Sequence, residues 1–248
     1  MSRSLYLSGC DRDVAKATRA IETAKDDAGR AAALAERGSA WGEKARYSRC
    51  FGLVAGPEYE RLFGLALTDL DRAVALDARS AEIRFRRGRT LYDRAALETT
   101  EAPRWFGLAG ASFEAAVARD PSHVFAWDFL GLARQASHDW EGAIQAYTRE
   151  MALQGLGRAR LADLYCTRGS ERHGQESYEA AIADYERSIE LGAAADGCSC
   201  EPYNPLVGIY TGKTHEYAKA AQVVERARKA RRWIAPELLE EVKKGSRP

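Results

Sequence analysis

The residues that most often perform catalysis are scattered along this chain. No two of its four histidines stand at the i, i+4 spacing that places both imidazoles on one helix face; they are His123, His138, His173 and His215. The sequence also has no HExxH motif, no CxxC motif and no GxSxG nucleophile segment. We therefore expect neither a catalytic site nor a bound metal or cofactor, and we predict that the protein is not an enzyme.

The segment GIYTGKT at residues 208–214 comes closest to a known ligand-binding motif. It is similar to the phosphate-binding P-loop, but it is one residue too short. A P-loop also joins a β-strand to a helix, whereas the pattern around this segment is helical. We therefore do not expect nucleotide binding.

An amphipathic segment at residues 177–192, SYEAAIADYERSIELG, indicates how the chain folds. Ala181, Tyr185 and Ser188 stand at i, i+4 and i+7, which puts them on one face of a helix. Small residues on both sides of a large aromatic favour a close approach between two helices. Because Gly169 lies twelve residues before Ala181 in a second amphipathic segment, the two segments predict a helical hairpin.

The same hairpin recurs along the chain. A first-helix glycine stands at five positions: Gly38, Gly88, Gly131, Gly169 and Gly208. The second-helix triplets that follow are Ala66/Leu70/Ala73, Ala109/Phe113/Ala116, Ala143/Tyr147/Glu150, Ala181/Tyr185/Ser188 and Ala220/Val224/Ala227, in which Glu150 departs from a small residue. On these residues the sequence resembles the tetratricopeptide repeat (TPR) family. The resemblance implies an all-α fold, an α-solenoid of about five helix-turn-helix repeats.

The repeat spacing also predicts the domain organisation. Residues 1–27 hold a half-repeat helix, and residues 235–248 form the capping helix and tail that the end of a repeat array requires. In the first two units the glycine and the first alanine are 28 and 21 residues apart instead of 12, which predicts long inserts between their helices. A turn is expected at Gly56-Pro57 in the first insert. The five units are predicted at residues 28–79, 80–121, 122–157, 158–197 and 202–234.

Charge and composition disfavour several classes of function. The 248 residues contain 37 Lys and Arg against 36 Asp and Glu, so no net field favours nucleic acid as a partner. No run approaches the ~20 apolar residues of a transmembrane span. Residues 226–232 hold five cations in seven positions, and we interpret them as a solvated helix end whose charges complement the helix dipole.

Two interpretations of the N-terminus stay open. Residues 7–10, LSGC, are similar to a bacterial lipobox, in which the cysteine, here Cys10, is lipidated after signal cleavage. Only Leu5, Tyr6 and Leu7 supply an apolar core, whereas a signal peptide needs about 7–15 such residues. Either this is a short disordered start with a chance match, and the protein is cytoplasmic, or the native start lies upstream and the protein is an exported envelope lipoprotein.

The pairing of the other cysteines depends on the compartment. Free thiols are the default in a reducing compartment, whereas in an oxidising one the four cysteines besides Cys10 form an even set. In the repeat arrangement, Cys198 and Cys200 directly precede the first helix of the fifth unit, and Cys166 lies in the first helix of the fourth. A disulfide between Cys166 and either Cys198 or Cys200 is therefore sterically compatible with the fold.

The TPR resemblance implies that binding uses a concave groove formed by the first helices, at positions two, five, nine and twelve of each unit. These positions hold Glu82, Phe85, Arg89 and Tyr92 in the second unit, Phe125, Asp128, Leu132 and Gln135 in the third, and Asp163, Cys166, Ser170 and His173 in the fourth. Aromatic and apolar residues flanked by charges suit an extended peptide or a partner helix. Relatives that bind chaperone tail carboxylates have Lys and Asn at positions five and nine of their first unit, where this chain has Ala35 and Ser39, so that subclass is disfavoured.

We therefore predict a non-catalytic protein–protein interaction scaffold that binds its partner mainly through the second and third units. Two alternatives remain. The protein is either a bacterial envelope lipoprotein that acts as an assembly adaptor, or a repeat domain that self-associates into a homo-oligomer through its inserts. The groove itself is either open or filled by the inserts or the capping helix.

Overall fold

The computed structural model describes residues 3–53, 56–154, 157–192 and 200–245, and within these ranges the chain is all-α, with twelve helices and no strand. The prediction of an all-α fold is confirmed. The helices are α1 (Arg3–Thr23), α2 (Asp27–Cys50), α3 (Gly56–Leu76), α4 (Ala81–Ala95), α5 (Ala102–Arg119), α6 (Val124–Ala136), α7 (Trp140–Gln154), α8 (Gly157–Gly174), α9 (Tyr178–Glu190), α10 (Tyr203–Gly212), α11 (Tyr217–Lys229) and α12 (Pro236–Gly245).

Consecutive helices pack as hairpins. α2 packs against α3, α4 against α5, α8 against α9, and α10 against α11. The helix α1 packs against α2, and α12 packs against α10 and α11 as the predicted cap, with Val242 buried. The chain divides into two compact units, Met1–Ala143 and Ile144–Pro248, and the boundary between them falls within α7.

Close contacts between paired helices explain three of the five repeat glycines. A Cβ on Gly38 would lie 2.8 Å from Leu70 Cγ and 2.9 Å from the Ala66 carbonyl oxygen. A Cβ on Gly88 would lie 2.7 Å from the Phe113 ring, and one on Gly169 would lie 3.0 Å from the Tyr185 ring. At these three positions only a glycine lets the large side chain of the second helix reach the first.

The additional residues of the first unit lengthen its helices. α2 has 24 residues and α3 has 21, so most of the insert is helical. The expected turn at Gly56-Pro57 is wrong, because α3 begins at Gly56. A proline in the first turn of a helix is tolerated, since the N–H it lacks would have no partner within the helix.

The insert of the second unit is held by polar contacts. The Trp105 indole N–H donates to a Glu98 carboxylate oxygen at 3.0 Å, and the same carboxylate pairs with Arg94 at 2.9 Å. The Arg94 guanidinium lies 4.0 Å from the centre of the Trp105 ring. This network joins the end of α4 to the first turn of α5.

The N-terminal segment is ordered as helix. A short disordered start is wrong for the described residues, since α1 begins at Arg3 and includes residues 7–10. An ion pair between Lys44 and Asp11, 2.5 Å long, ties α1 to α2. Cys10 is buried, and burial together with the nearby charge of Glu43 raises the pKa of its thiol. Lipidation of Cys10 stays a prediction.

Candidate functional site

A cavity lies along α1, α2 and α4 in the first compact unit. It has a volume of about 370 Å³. Its apolar surface comes from alanines on two helices, and its polar surface from side chains of both signs on three. The lining residues are Asp13, Lys16, Ala17, Ala20, Ala33, Glu36, Ser39, Ala40, Glu43 and Arg86.

A second cavity of about 260 Å³ adjoins the first, because both are lined by Ser39, Glu43 and Arg86. Its other lining residues are Gly42, Arg46, Glu82, Phe85, Arg89, Thr90 and Asp93. We refer to the two cavities together as the α2 cleft, defined by these seventeen residues. A Cβ on Gly42 would lie 3.1 Å from Thr90 Cγ2, so α2 and α4 are in close contact beneath the cleft.

Most charges of the α2 cleft are already paired. Arg86 contacts Glu36 at 3.0 Å and Glu82 at 2.6 Å, while Asp93 accepts from Arg89 at 3.2 Å and lies 3.5 Å from Arg46. These pairs fix the position of α4 against α2. Among the described residues, three charged side chains of the cleft make no ion pair, namely Asp13, Lys16 and Glu43.

Three of the four groove residues predicted in the second unit line the α2 cleft: Glu82, Phe85 and Arg89. Phe85 also belongs to the packing between helices, since its ring lies 5.9 Å from Phe113 and 5.8 Å from Phe129. Tyr92 packs against Phe106 at 5.2 Å and Phe129 at 5.5 Å. The aromatic residues of α4 therefore stabilise the packing of α4, α5 and α6, and one of them also reaches the cleft.

The residues predicted in the third unit lie on α6. Phe125 is 65% exposed, whereas Asp128, Leu132 and Gln135 are half-buried. The start of α6 is joined to the cleft by His123, whose Nε2 lies 3.3 Å from Glu82. Its Nδ1 accepts the Ala126 backbone N–H at 3.1 Å and so caps the helix, and the ring lies 4.8 Å from Phe85.

The residues predicted in the fourth unit contact the chain's own next segment. A disulfide joins Cys166 to Cys200, with the two Cα atoms 5.9 Å apart, and Asp163 accepts the Cys200 backbone N–H at 3.2 Å. The Tyr185 hydroxyl donates to Ser170 at 3.2 Å, and the His173 ring packs 6.4 Å from Tyr185. Cys198, the other candidate for this bridge, lies outside the described residues. Asp163 and Cys166 thus hold residue 200 in place.

Sequence reasoning did not select the α2 residues as a site. Ser39 and Gly42 stand at positions nine and twelve of the first unit, so the counting rule used for the other units identifies them. The α1 residues Asp13 and Lys16 have no such signal, because α1 has no repeat glycine before it.

Within the described part of the chain, no group of three or more His, Cys, Asp or Glu side chains is placed to hold a metal ion. None of the described helices combines the length and the apolar character needed to cross a membrane.

No protein-family model matches the sequence, and no curated protein matches it either. BtubC (BKLC) from P. vanneervenii is similar in structure, with a TM-score of 0.53 and 16% identity over 93% of this chain and 91% of that one. A MamA structure gives a TM-score of 0.45 and 22% identity over 77% of this chain and 94% of that one. A structure of a human IFIT1 dimer with PPP-AAAA gives a TM-score of 0.44 and 14% identity over 95% of this chain and 68% of that one. The likeness to BtubC concerns the fold, which is a TPR-like α-solenoid.

Proposed function

We propose that the protein is a non-catalytic scaffold of the TPR family that binds an extended segment of a protein partner in the α2 cleft. The observation that carries this proposal is the continuity of the two cavities along α1, α2 and α4, which share Ser39, Glu43 and Arg86. Glu82, Phe85 and Arg89, selected from the sequence as groove residues, line the same surface.

The dimensions of the cleft suit a short extended peptide. Along α2 the lining runs from Ala33 to Arg46, which is about 20 Å at the rise of an α-helix. An extended chain covers that length with about six residues. The lining is mostly charged and polar, whereas sites for drug-like small molecules are mainly apolar and aromatic. A peptide, which offers backbone donors and acceptors along its whole length, matches this surface better.

The three cleft side chains without an ion pair, Asp13, Lys16 and Glu43, are where charged side chains of the peptide would bind. Glu43 and Asp13 attract a cationic side chain, and Lys16 attracts an anionic one, without breaking the ion pairs of Arg86. Phe125 and the other residues predicted on α6 are proposed to extend the binding surface of the third unit.

The test is selection of binding peptides from a phage-displayed library of random peptides, followed by affinity measurement on variants of the full chain. Ser39→Trp places a large side chain where the two cavities meet, and Glu43→Lys reverses one unpaired charge. The matched control is Glu22→Lys, the same charge change at an exposed residue of α1 outside the cleft. We expect each change to weaken binding about tenfold or more, because the indole of Ser39→Trp fills the cleft and Glu43→Lys repels a cationic side chain of the peptide.

Circular dichroism must show that each variant keeps the helicity of the wild type. Selected peptides that bind Ser39→Trp and Glu43→Lys as tightly as they bind Glu22→Lys would show that the α2 cleft is not the binding site. Phe125→Ala then tests the α6 surface separately, because an exposed side chain can be removed without disturbing the core.

A further inference from the structure

The turn after α11 exposes a tryptophan. Trp233 is 69% exposed, the highest value among the large hydrophobic residues described as exposed. The next residue, Ile234, is buried in the core of the second compact unit, together with Val242 and Leu206. The chain therefore directs one apolar side chain inwards and the adjacent one into solvent.

The residues before this tryptophan are cationic. Arg226 pairs with Glu186, and Arg228 pairs with Glu225 at 3.0 Å. Lys229, Arg231 and Arg232 make no ion pair with any described residue. We call Lys229, Arg231, Arg232 and Trp233 the basic tip.

The backbone of the basic tip is fixed. Asn204 donates its side-chain N–H to the Trp233 carbonyl oxygen at 3.0 Å and accepts the Ala235 backbone N–H at 2.9 Å. The Arg232 backbone N–H donates to the Ala227 carbonyl oxygen at 2.8 Å, which closes the end of α11. The exposure of Trp233 is thus built into the fold of this turn.

The described segments that flank the basic tip carry two carboxylates without a cationic partner. Glu201 accepts the backbone N–H groups of Tyr203 and Asn204, and Glu237 lies in the first turn of α12. Glu225 is paired with Arg228. The three unpaired cations of the basic tip outnumber these two carboxylates, so the surface keeps a net positive charge.

We infer that the basic tip docks on the surface of an anionic lipid bilayer. Tryptophan concentrates at the level of the lipid headgroups, because its ring is apolar and its indole N–H is polar. Clustered Lys and Arg are attracted to anionic headgroups. The combination of both features favours a lipid surface, whereas a solvated helix end would account for the cations alone. This site lies in the second compact unit and does not depend on the α2 cleft.

The experiment is flotation of the full chain with vesicles of phosphatidylcholine, with and without phosphatidylglycerol. One variant combines Lys229→Gln, Arg231→Gly and Arg232→Gln, and the second is Trp233→Ala. Glycine suits position 231 because Arg231 has a left-handed φ of 56°, so the charge is removed without backbone strain. The controls are the triple change Arg72→Gln, Arg79→Gln and Arg119→Gln, at three exposed cations elsewhere, and Phe125→Ala, at another exposed aromatic.

We expect the wild type and both controls to float only with phosphatidylglycerol vesicles. Each lost cation should weaken binding about fivefold, so the triple variant of the basic tip loses about 100-fold. Trp233→Ala should lose about tenfold, since one large apolar side chain no longer inserts.

The inference is wrong if the triple variant and Trp233→Ala float as well as the wild type, or if the wild type does not float at all. When the wild type does not float, binding of a labelled single-stranded RNA to the wild type and not to the basic-tip variants would assign the surface to nucleic acid. The cleft variant Ser39→Trp should float like the wild type, so a failure of the peptide proposal leaves this test unaffected.

Discussion

Two buried aspartates, Asp69 and Asp184, are paired with arginines at fixed positions of the repeat. Arg37 donates to both oxygens of Asp69, at 2.7 and 2.8 Å, and Arg168 donates to both oxygens of Asp184, at 2.9 and 2.7 Å. Each arginine directly precedes the repeat glycine of the first helix, and each aspartate directly precedes the large residue of the second. A charge-assisted pair with two parallel hydrogen bonds offsets the cost of burying both groups.

The other units show that the two positions depend on each other. In the second repeat unit, Arg87 directly precedes the repeat glycine, and Ser112 directly precedes the large residue Phe113. Arg87 donates a hydrogen bond to the Ser112 hydroxyl at 2.7 Å. In the third unit the same positions hold Leu130 and Ala146, and both are buried. The residues at the two positions are thus either an arginine with an acceptor or two apolar side chains. This coupling is visible in the sequence only once the structure shows that the positions meet.

Removal of one member of the pair tests this rule. Arg168→Ala leaves Asp184, which is 2% exposed, with Arg172 as its remaining arginine at 2.8 Å. We expect the free energy of unfolding to fall by about 3 kcal/mol, as when a buried pair loses one partner. The combined change Arg168→Leu and Asp184→Ala, which copies Leu130 and Ala146 of the third unit, should recover most of that loss.

Chemical denaturation of the three proteins, with circular dichroism as the probe, gives the measurement. If the double variant is as unstable as Arg168→Ala, the loss comes from packing of the arginine side chain, and the idea of a coupled pair is wrong.

At the scale of helices, the sequence predicts the hairpins well because their signals are local. A glycine and an alanine at a fixed spacing indicate one helix–helix contact. Four of the predicted hairpins pack in this way in the described structure, namely α2 with α3, α4 with α5, α8 with α9, and α10 with α11. The conformation of the inserts was not predictable in the same way. The additional residues of the first unit carry no repeat signal, and whether they form a loop or extend α2 and α3 depends on contacts such as those of buried Tyr59 and Phe63.

The glycine contacts make a prediction at this scale. Gly38→Ala would place a Cβ 2.9 Å from the Ala66 carbonyl oxygen, a backbone atom that can move only with α3. We expect the free energy of unfolding to fall by about 1–3 kcal/mol, as in other overpacked contacts. The matched control is Gly208→Ala, because the nearest atom, Leu238 Cδ2, would be 3.8 Å from the new Cβ.

Since alanine is a better helix former than glycine, Gly208→Ala should be neutral or stabilise the protein by about 0.5–1 kcal/mol. Thermal unfolding of both variants checks the pair. Equal effects at the two positions would mean that helix propensity, and not the close contact in the first unit, explains the glycines.

At the scale of the whole molecule, the predicted groove residues fall into surfaces with different roles. Glu82, Phe85 and Arg89 line the α2 cleft in the first compact unit, whereas Asp163 and Cys166 in the second hold residue 200. The repeat positions alone cannot distinguish these two roles, because they do not show which first-helix surfaces are covered by another part of the chain. Cys200, which contacts α8, lies between the predicted fourth and fifth repeat units, so no repeat position identifies it.

The disulfide provides the last prediction. It closes a loop of 34 residues, which corresponds to a stabilisation of about 3–4 kcal/mol in the chain-entropy model. Cys200→Ser should therefore speed amide hydrogen exchange in α8 and α10, which the bridge constrains, and leave exchange in α2 and α4 unchanged. Peptide binding to the α2 cleft should persist, because every lining residue belongs to the first compact unit. The control is Cys50→Ser, at a free and exposed cysteine, which should change neither amide hydrogen exchange nor peptide binding. Faster exchange throughout the chain in Cys200→Ser, with loss of peptide binding, would show that the two compact units unfold together and that the bridge supports the cleft as well.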